Sequence, residues 1–149
     1  MLAATNHATR RAGTAPSRRE LGSALCFAAG VWLAYLWRAN EPVAVWIAIL
    51  VLVLADSAAV LVGQRFGATQ RMPTGAGENA ATSIAFFATA FAVSAVGLVF
   101  GVGLRPGEAL VSSALVAAVT TGVHESLDDG LENLFVPIGV LVSLELTAL

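Results

Sequence analysis

Five long apolar runs, separated by short polar turns, constrain this sequence more than any other feature. They cover residues 21–38, 43–63, 80–103, 109–124 and 131–149, with approximate boundaries. A helix needs about 20 mostly apolar residues to cross a hydrocarbon core that is about 30 Å thick. Because lipid offers no hydrogen-bond partners to the backbone, helices are the favoured way to cross it. The sequence therefore predicts an all-α, polytopic membrane bundle of about five transmembrane helices.

The composition supports this prediction and argues against a water-soluble domain. Hydrophobic residues make up 57% of the 149-residue chain, and charged residues make up only 12%. Soluble globular domains carry about 25% charged residues, because their surfaces face water. Much of the surface of this protein must therefore face lipid, and we expect the bilayer to be its main environment.

The arginines predict an orientation. Residues 1–20 hold Arg10, Arg11, Arg18 and Arg19, and we interpret this segment as a flexible basic cytoplasmic tail before a membrane domain at 21–149. A basic run also occurs in nucleic-acid-binding proteins, but here it precedes an apolar run, as expected for cytoplasmic retention. With the N-terminus inside, six of the eight arginines lie in cytoplasmic segments, and we expect no nucleic-acid partner.

Amino-acid usage also bears on the source. All eight basic residues are arginine and none is lysine, which is typical of proteins from bacteria with GC-rich genomes. We therefore expect a bacterial inner membrane protein with its N-terminus in the cytoplasm. The sequence leaves open whether the protein forms a homo-oligomer.

Asp56 is an ionisable residue inside the second apolar run. A charged side chain at the centre of a membrane helix costs about 2.5–3.5 kcal/mol on insertion scales, and such residues usually face the bundle interior and mark a site. Helical spacing places Ala59, Gly63 and Gly67 on the same side as Asp56. Small residues there would let a phosphate approach the backbone, or would let a neighbouring helix pack closely.

Two polar loops would meet Asp56 on the same membrane face. Residues 64–78 contain glycines with Arg65 and Arg71, which are suited to phosphate binding but are also typical of a cytoplasmic loop. Residues 124–133 contain four carboxylates, which suit a divalent cation or simply face solvent: Glu125, Asp128, Asp129 and Glu132. Glu125 and Asn133 are the stronger candidates because they border apolar runs. Pro137 has no N–H to donate to the Asn133 carbonyl, which leaves an acceptor beside the predicted site.

Two features of this region have structural interpretations. The sequence from Asp129 to Glu132 also fits a capping pattern for the last helix. His124 follows Thr120 by one helical turn, and we interpret it as an interfacial hydrogen-bonding residue rather than a ligand.

Two segments together resemble a known family. The sequence D-S-A-A-V-L-V-G-Q-R-F-G at residues 56–67 resembles the D-x-x-A-x-x-x-G-x-x-F/Y-G segment of the dolichol kinase and phytol kinase family. That family includes CTP-dependent diacylglycerol kinases and is distantly similar to phosphatidate cytidylyltransferases. Glu125, followed by G-L-E-N-L-F-V-P-I at residues 130–138, resembles the family's second element, E-x(n)-G-x-D-N-L-x-x-P-L. The resemblance covers residues 50–140, approximately.

The resemblance implies an enzyme that transfers phosphate from CTP or ATP to a lipid or isoprenoid alcohol, with Mg²⁺ or another divalent cation. It implies catalytic roles for Asp56, Glu125 and Asn133, of which Asp56 and Glu125 would hold the metal. It further implies a set of nucleotide- or phosphate-binding residues: Gly63, Arg65, Gly67, Arg71 and Ser83.

Two alternatives stay open. The family's K-T-x-E-G-S element aligns with E-N-A-A-T-S at residues 78–83, so the lysine and the glutamate are replaced by Glu78 and Ala81. That change favours a non-catalytic relative which binds a lipid or a partner subunit. The second alternative is a small transporter or channel component, in which Asp56 and Glu125 form an ion or proton site.

Overall fold

The computed structural model describes residues 17–66, 80–127 and 130–147, and all regular secondary structure in them is helical. Helix α1 is Arg18–Trp37, α2 is Pro42–Phe66 and α3 is Ala80–Val96, which continues as a π-helix, Gly97–Val102. Helix α4 is Pro106–Ser126 and α5 is Glu132–Leu146. The prediction of an all-α membrane bundle is confirmed.

Local sequence signals set most helix ends. Ser17 and Glu20 form a capping box that begins α1, because each side chain accepts from the other residue's backbone N–H. The turn into α2 is held by Arg38, whose Nη1 donates to Glu41 Oε2 at 2.5 Å. Gly103, with a φ of 81°, ends the π-helix, because glycine adopts this left-handed conformation without strain.

Helix α4 begins earlier than the sequence predicted. We expected residues 105–108 to form a turn and the span to begin near 109, but Pro106 is already helical. Proline is favoured in the first helical position because its missing N–H would have had no partner there. With these added residues α4 has 21 residues, which is enough to cross a bilayer.

Within the described ranges, four helices are long and apolar enough to cross a membrane: Glu20–Trp37, Pro42–Arg65, Ala80–Val102 and Pro106–Ser126. Their positions agree with the first four predicted spans. The fifth predicted span, 131–149, contains the shorter helix α5, which has 15 residues. At 1.5 Å per residue α5 rises about 22 Å, less than the thickness of the hydrocarbon core.

Helices α2, α3, α4 and α5 form a ring, in which α2 contacts α3 and α5 and α4 contacts the same two helices. Helix α1 packs mainly on α5, at the outside of the bundle. Large apolar side chains such as Leu25, Trp32 and Leu61 stay exposed, as expected for surfaces that face lipid. The core contains fully buried residues from every helix, among them Ala34, Val51, Phe86, Val116 and Val140.

Close contact between α1 and α5 depends on Gly30. A Cβ atom at this position would lie 2.5 Å from the Asn133 carbonyl oxygen and 3.1 Å from Pro137 Cγ. The carbonyl that Pro137 leaves without its helical donor therefore lies beside Gly30. Small residues commonly let membrane helices approach this closely.

Candidate metal centre

Three side chains that can bind metal converge where α4 ends and α5 begins. They are Asp56 of α2, His124 of α4 and Glu132 of α5, and one ligand atom from each lies within 4.8 Å of the other two. His124 is buried, and both carboxylates are partly buried. The cluster therefore joins three helices at one end of the bundle.

Asp56 lies at the edge of the buried face of α2. Its neighbours on the inner side of the helix, Leu52 and Ala59, are buried, whereas Val53 and Val60 are exposed. Helix α2 continues for nearly three further turns to Phe66. Asp56 is therefore remote from both ends of α2, and its carboxylate reaches the cluster from the side of that helix.

His124 occupies the last turn of α4 and ends a buried stripe of that helix. Ser113, Ala117 and Thr120 precede it on this stripe at helical spacing, and each is fully buried. The imidazole ring stacks on Phe86 of α3, with ring centroids 4.3 Å apart and planes 15° apart. Because Phe86 is itself fully buried, this stacking fixes the plane of the imidazole.

Glu132 is the first residue of α5, and its carboxylate pairs with His124. Glu132 Oε2 lies 2.5 Å from His124 Nδ1, and the two side chains are only 16% and 7% exposed. The positive end of the α5 dipole also favours a carboxylate at this position. Leu131 is the N-cap of α5 and its side chain makes no capping hydrogen bond, while Asp129 of the predicted capping pattern lies outside the described residues.

Gly130 allows the chain to enter α5 at this point. Its φ is 109°, which side-chain-bearing residues rarely adopt, and a Cβ there would lie 3.4 Å from Ser23 of α1. Gly130 thus packs against α1, while the carboxylate of Glu132 contacts His124 of α4.

The structure separates the three predicted catalytic residues. Asp56 belongs to the cluster, but Glu125 lies on an exposed face of α4 beside that of His124, in line with the exposed Ala118 and Gly122. Asn133 is half-buried, and its Nδ2 donates to Ser23 Oγ at 2.8 Å, which links α5 to α1. Glu125 and Asn133 are therefore next to cluster residues in sequence, but the Glu125 side chain is exposed and the Asn133 side chain is bonded to α1.

The predicted phosphate-binding residues have mixed positions. A Cβ at Gly63 would lie 2.8 Å from Thr82 Cγ2, so α3 occupies the space beside this glycine. Arg65 is exposed near the end of α2, and Ser83 is half-buried in the first turn of α3. Gly67 and Arg71 lie outside the described residues.

The sequence did not predict that His124 and Glu132 belong to the cluster, although helical spacing along α4 indicated that His124 is buried. His124 continues the spacing of the apolar and small residues that precede it on α4, whereas Glu125 is rotated by 100° from it. Glu132 occupies the position of the aspartate in the D-N-L element of the family that the sequence resembles. Its pairing with His124 depends on the turn between α4 and α5, which has no simple sequence signature.

The cluster offers a set of ligands for a divalent cation. Two carboxylates can balance a charge of 2+, and a neutral imidazole adds a nitrogen ligand without adding charge. The three ligand atoms lie within 4.8 Å of one another, and His124 Nδ1 lies 2.5 Å from Glu132 Oε2. Adjacent ligands on one metal ion are about 3 Å apart, which is close to these separations. Small side-chain rotations would therefore suffice to close the three residues around a cation.

The helices and this cluster define an all-α polytopic membrane protein with a candidate metal centre at one end of the bundle. No protein-family model, curated protein or solved structure matches the chain.

Proposed function

We propose that this protein is a membrane-embedded kinase that transfers a phosphoryl group from CTP or ATP to a lipid or isoprenoid alcohol. The observation that carries the proposal is the meeting of Asp56 and Glu132 in one cluster. Asp56 opens the first segment that resembles the dolichol and phytol kinase family, and Glu132 lies in the second. Two distant sequence segments thus contribute one carboxylate each to a single candidate cation site.

In this proposal Asp56 and Glu132 would hold a divalent cation, which would supply positive charge to neutralise the phosphates of the nucleotide. Phosphoryl transfer depends mainly on positioning and on neutralising charge, which a divalent cation and nearby arginines supply. Arg65, exposed near the cytoplasmic end of α2, would meet the triphosphate together with Arg71. The alcohol oxygen attacks the γ-phosphorus, the bond to the β–γ bridging oxygen breaks, and the nucleoside diphosphate leaves. The alcohol proton passes to water or to a carboxylate of the cluster.

The position of the cluster suits a substrate that stays in the membrane. It lies at the bundle end that holds the N-terminus of α1 and the C-terminus of α2, which the arginine distribution predicts to be cytoplasmic. A hydroxyl group at that depth would be near the interface while its hydrocarbon chain stays in lipid. The alcohol would enter laterally between helices.

The test is transfer of labelled phosphate from γ-labelled CTP, and from γ-labelled ATP in parallel, to a panel of lipid alcohols. Purified protein in detergent, with its fold checked by circular dichroism, would be assayed with Mg²⁺ and with Mn²⁺. We expect transfer by the wild type and at least a 100-fold loss in Asp56→Asn, since removing one group that holds the cation disrupts the assembled site. Glu145→Gln, an exposed carboxylate near the other end of α5, is the matched control.

The absence of transfer by the folded wild-type protein would contradict the proposal. A non-catalytic relative would then be favoured, and replacing Glu78 with lysine and Ala81 with glutamate would test whether nucleotide binding can be restored. The second candidate function is cation transport, which the partly buried Asp56 inside a membrane helix favours. Cation uptake into proteoliposomes that Asp56→Asn abolishes would support transport instead.

A further inference from the structure

The three side chains of the cluster do not supply the same kind of ligand. We infer that the site binds a divalent cation of the transition series, such as Mn²⁺, through the imidazole of His124, in preference to Mg²⁺. The inference deepens the proposed function and rests on its cation site. It departs from the expectation of Mg²⁺ that the sequence resemblance implied.

The chemistry of the ligands carries the first step. Mg²⁺ is a small hard ion that takes oxygen ligands in octahedral geometry and keeps much of its water. Mn²⁺, Co²⁺ and Zn²⁺ accept imidazole nitrogen beside carboxylate oxygen, and mixed sites of this kind bind them more tightly. A site with one nitrogen and two carboxylates therefore selects against Mg²⁺.

The placement of His124 carries the second step. Its ring is buried and held parallel to Phe86 at a centroid distance of 4.3 Å, which limits rotation of the ring plane. Metal ligands gain affinity when neighbouring groups hold them in position before binding. Phe86 therefore acts as a positioning residue for the imidazole.

Charge carries the third step. His124 and Glu132 are in contact at 2.5 Å, and Asp56 adds a second carboxylate to the same cluster. Uncompensated charge is costly where side chains are removed from water. A divalent cation held by a neutral imidazole balances the charge of both carboxylates.

Pulsed electron paramagnetic resonance with Mn²⁺ as the probe tests the inference directly. A directly bound imidazole nitrogen gives a ¹⁴N coupling to the manganese spectrum, and the chain has only 2 histidines, His7 and His124. The full chain would be purified in detergent with a tag that contains no histidine. We expect the coupling in the wild type and in the control variant His7→Gln, and its loss in His124→Gln.

Affinity provides the second measurement. We expect Mn²⁺ to bind the wild type at least about tenfold more tightly than Mg²⁺, and we expect this ratio to fall towards one in His124→Gln. The wild type and His7→Gln suffice for a decision if His124→Gln does not fold. Mn²⁺ that fails to bind, binds without nitrogen coupling, or competes equally with Mg²⁺ would overturn the inference.

The outcomes also separate this inference from the proposed function. Phosphoryl transfer with Mg²⁺, without nitrogen coupling to bound Mn²⁺, would leave the kinase proposal standing and reject the role of His124 as a ligand. Nitrogen coupling without phosphoryl transfer under any cation would support the metal site and reject the kinase.

Discussion

His124 Nδ1 lies 2.5 Å from Glu132 Oε2, so the last turn of α4 is joined to the first residue of α5. The pair is largely removed from solvent and lies beside Asp56 of α2. The pair therefore stabilises the junction of three helices, and it offers one nitrogen ligand and one oxygen ligand to the candidate metal centre.

Removing the imidazole should destabilise this junction. We expect His124→Ala to lower the free energy of unfolding by about 3 kcal/mol, because it leaves the Glu132 carboxylate without its partner and also removes the stacking on Phe86. Ser126→Ala, an exposed change on the same turn, should have little effect. Reversible unfolding in mixed detergent measures both variants, and equal stabilities would show that the pair contributes nothing.

The two glycines of α1 should respond in opposite ways to the same substitution. Gly30→Ala places a methyl group 2.5 Å from the Asn133 carbonyl oxygen, a backbone atom, so α1 must move away from α5. We expect a loss of about 1–3 kcal/mol, as for other overpacked sites. Gly22→Ala meets open space and should be neutral or stabilise the helix by up to about 1 kcal/mol.

Thermal unfolding and limited proteolysis of the two variants distinguish these effects. Cleavage at the α1–α2 turn should increase in Gly30→Ala alone. A tolerated Gly30→Ala would mean that α1 is not held against α5 at this position.

Substitutions of Glu132 and Glu125 should differ in their effect on cation affinity. Glu132→Gln removes a carboxylate of the cluster, and we expect a loss of at least about tenfold in Mn²⁺ affinity. Glu125→Gln, on the exposed side of α4, should cause the smaller loss. Isothermal titration in detergent compares them, and a larger effect of Glu125→Gln would restore the assignment that the sequence resemblance implied.

The orientation of the bundle can be tested at the two ends of α2. In a Cys26→Ala background, Asn40→Cys should react with a membrane-impermeant thiol reagent added to intact cells. Gln64→Cys, also exposed but at the other end of α2, should react only after the cells are opened. The arginine distribution predicts this result, and the reverse labelling pattern would place the candidate metal centre outside the cytoplasm.

Much of the fold follows from local sequence. The capping box at Ser17 and Glu20, the prolines at 42 and 106 and the glycine at 103 lie at helix boundaries, and the apolar runs between them set the helix lengths. These signals act over a few residues, so the first four predicted spans agree with the helices to within a few positions. The difference of three residues at Pro106 comes from treating a first-turn proline as part of a turn.

The candidate site was only partly predictable. Asp56 could be identified because a carboxylate inside an apolar run is costly wherever the helix packs. His124 and Glu132 could not be paired from sequence, since their contact requires the turn at Gly130 and the packing of that turn against Ser23.

By itself the sequence determined that the chain is a membrane protein, where its helices run and which buried charge needs a partner. Only the tertiary structure decided which side of each helix faces its neighbours, and so whether His124 or Glu125 joins Asp56. The physical reason is that membrane helices are apolar on their lipid-facing and core-facing sides alike. Their rotation is therefore set by close packing at residues such as Gly30 and Gly63, and not by an amphipathic pattern that can be read along the chain.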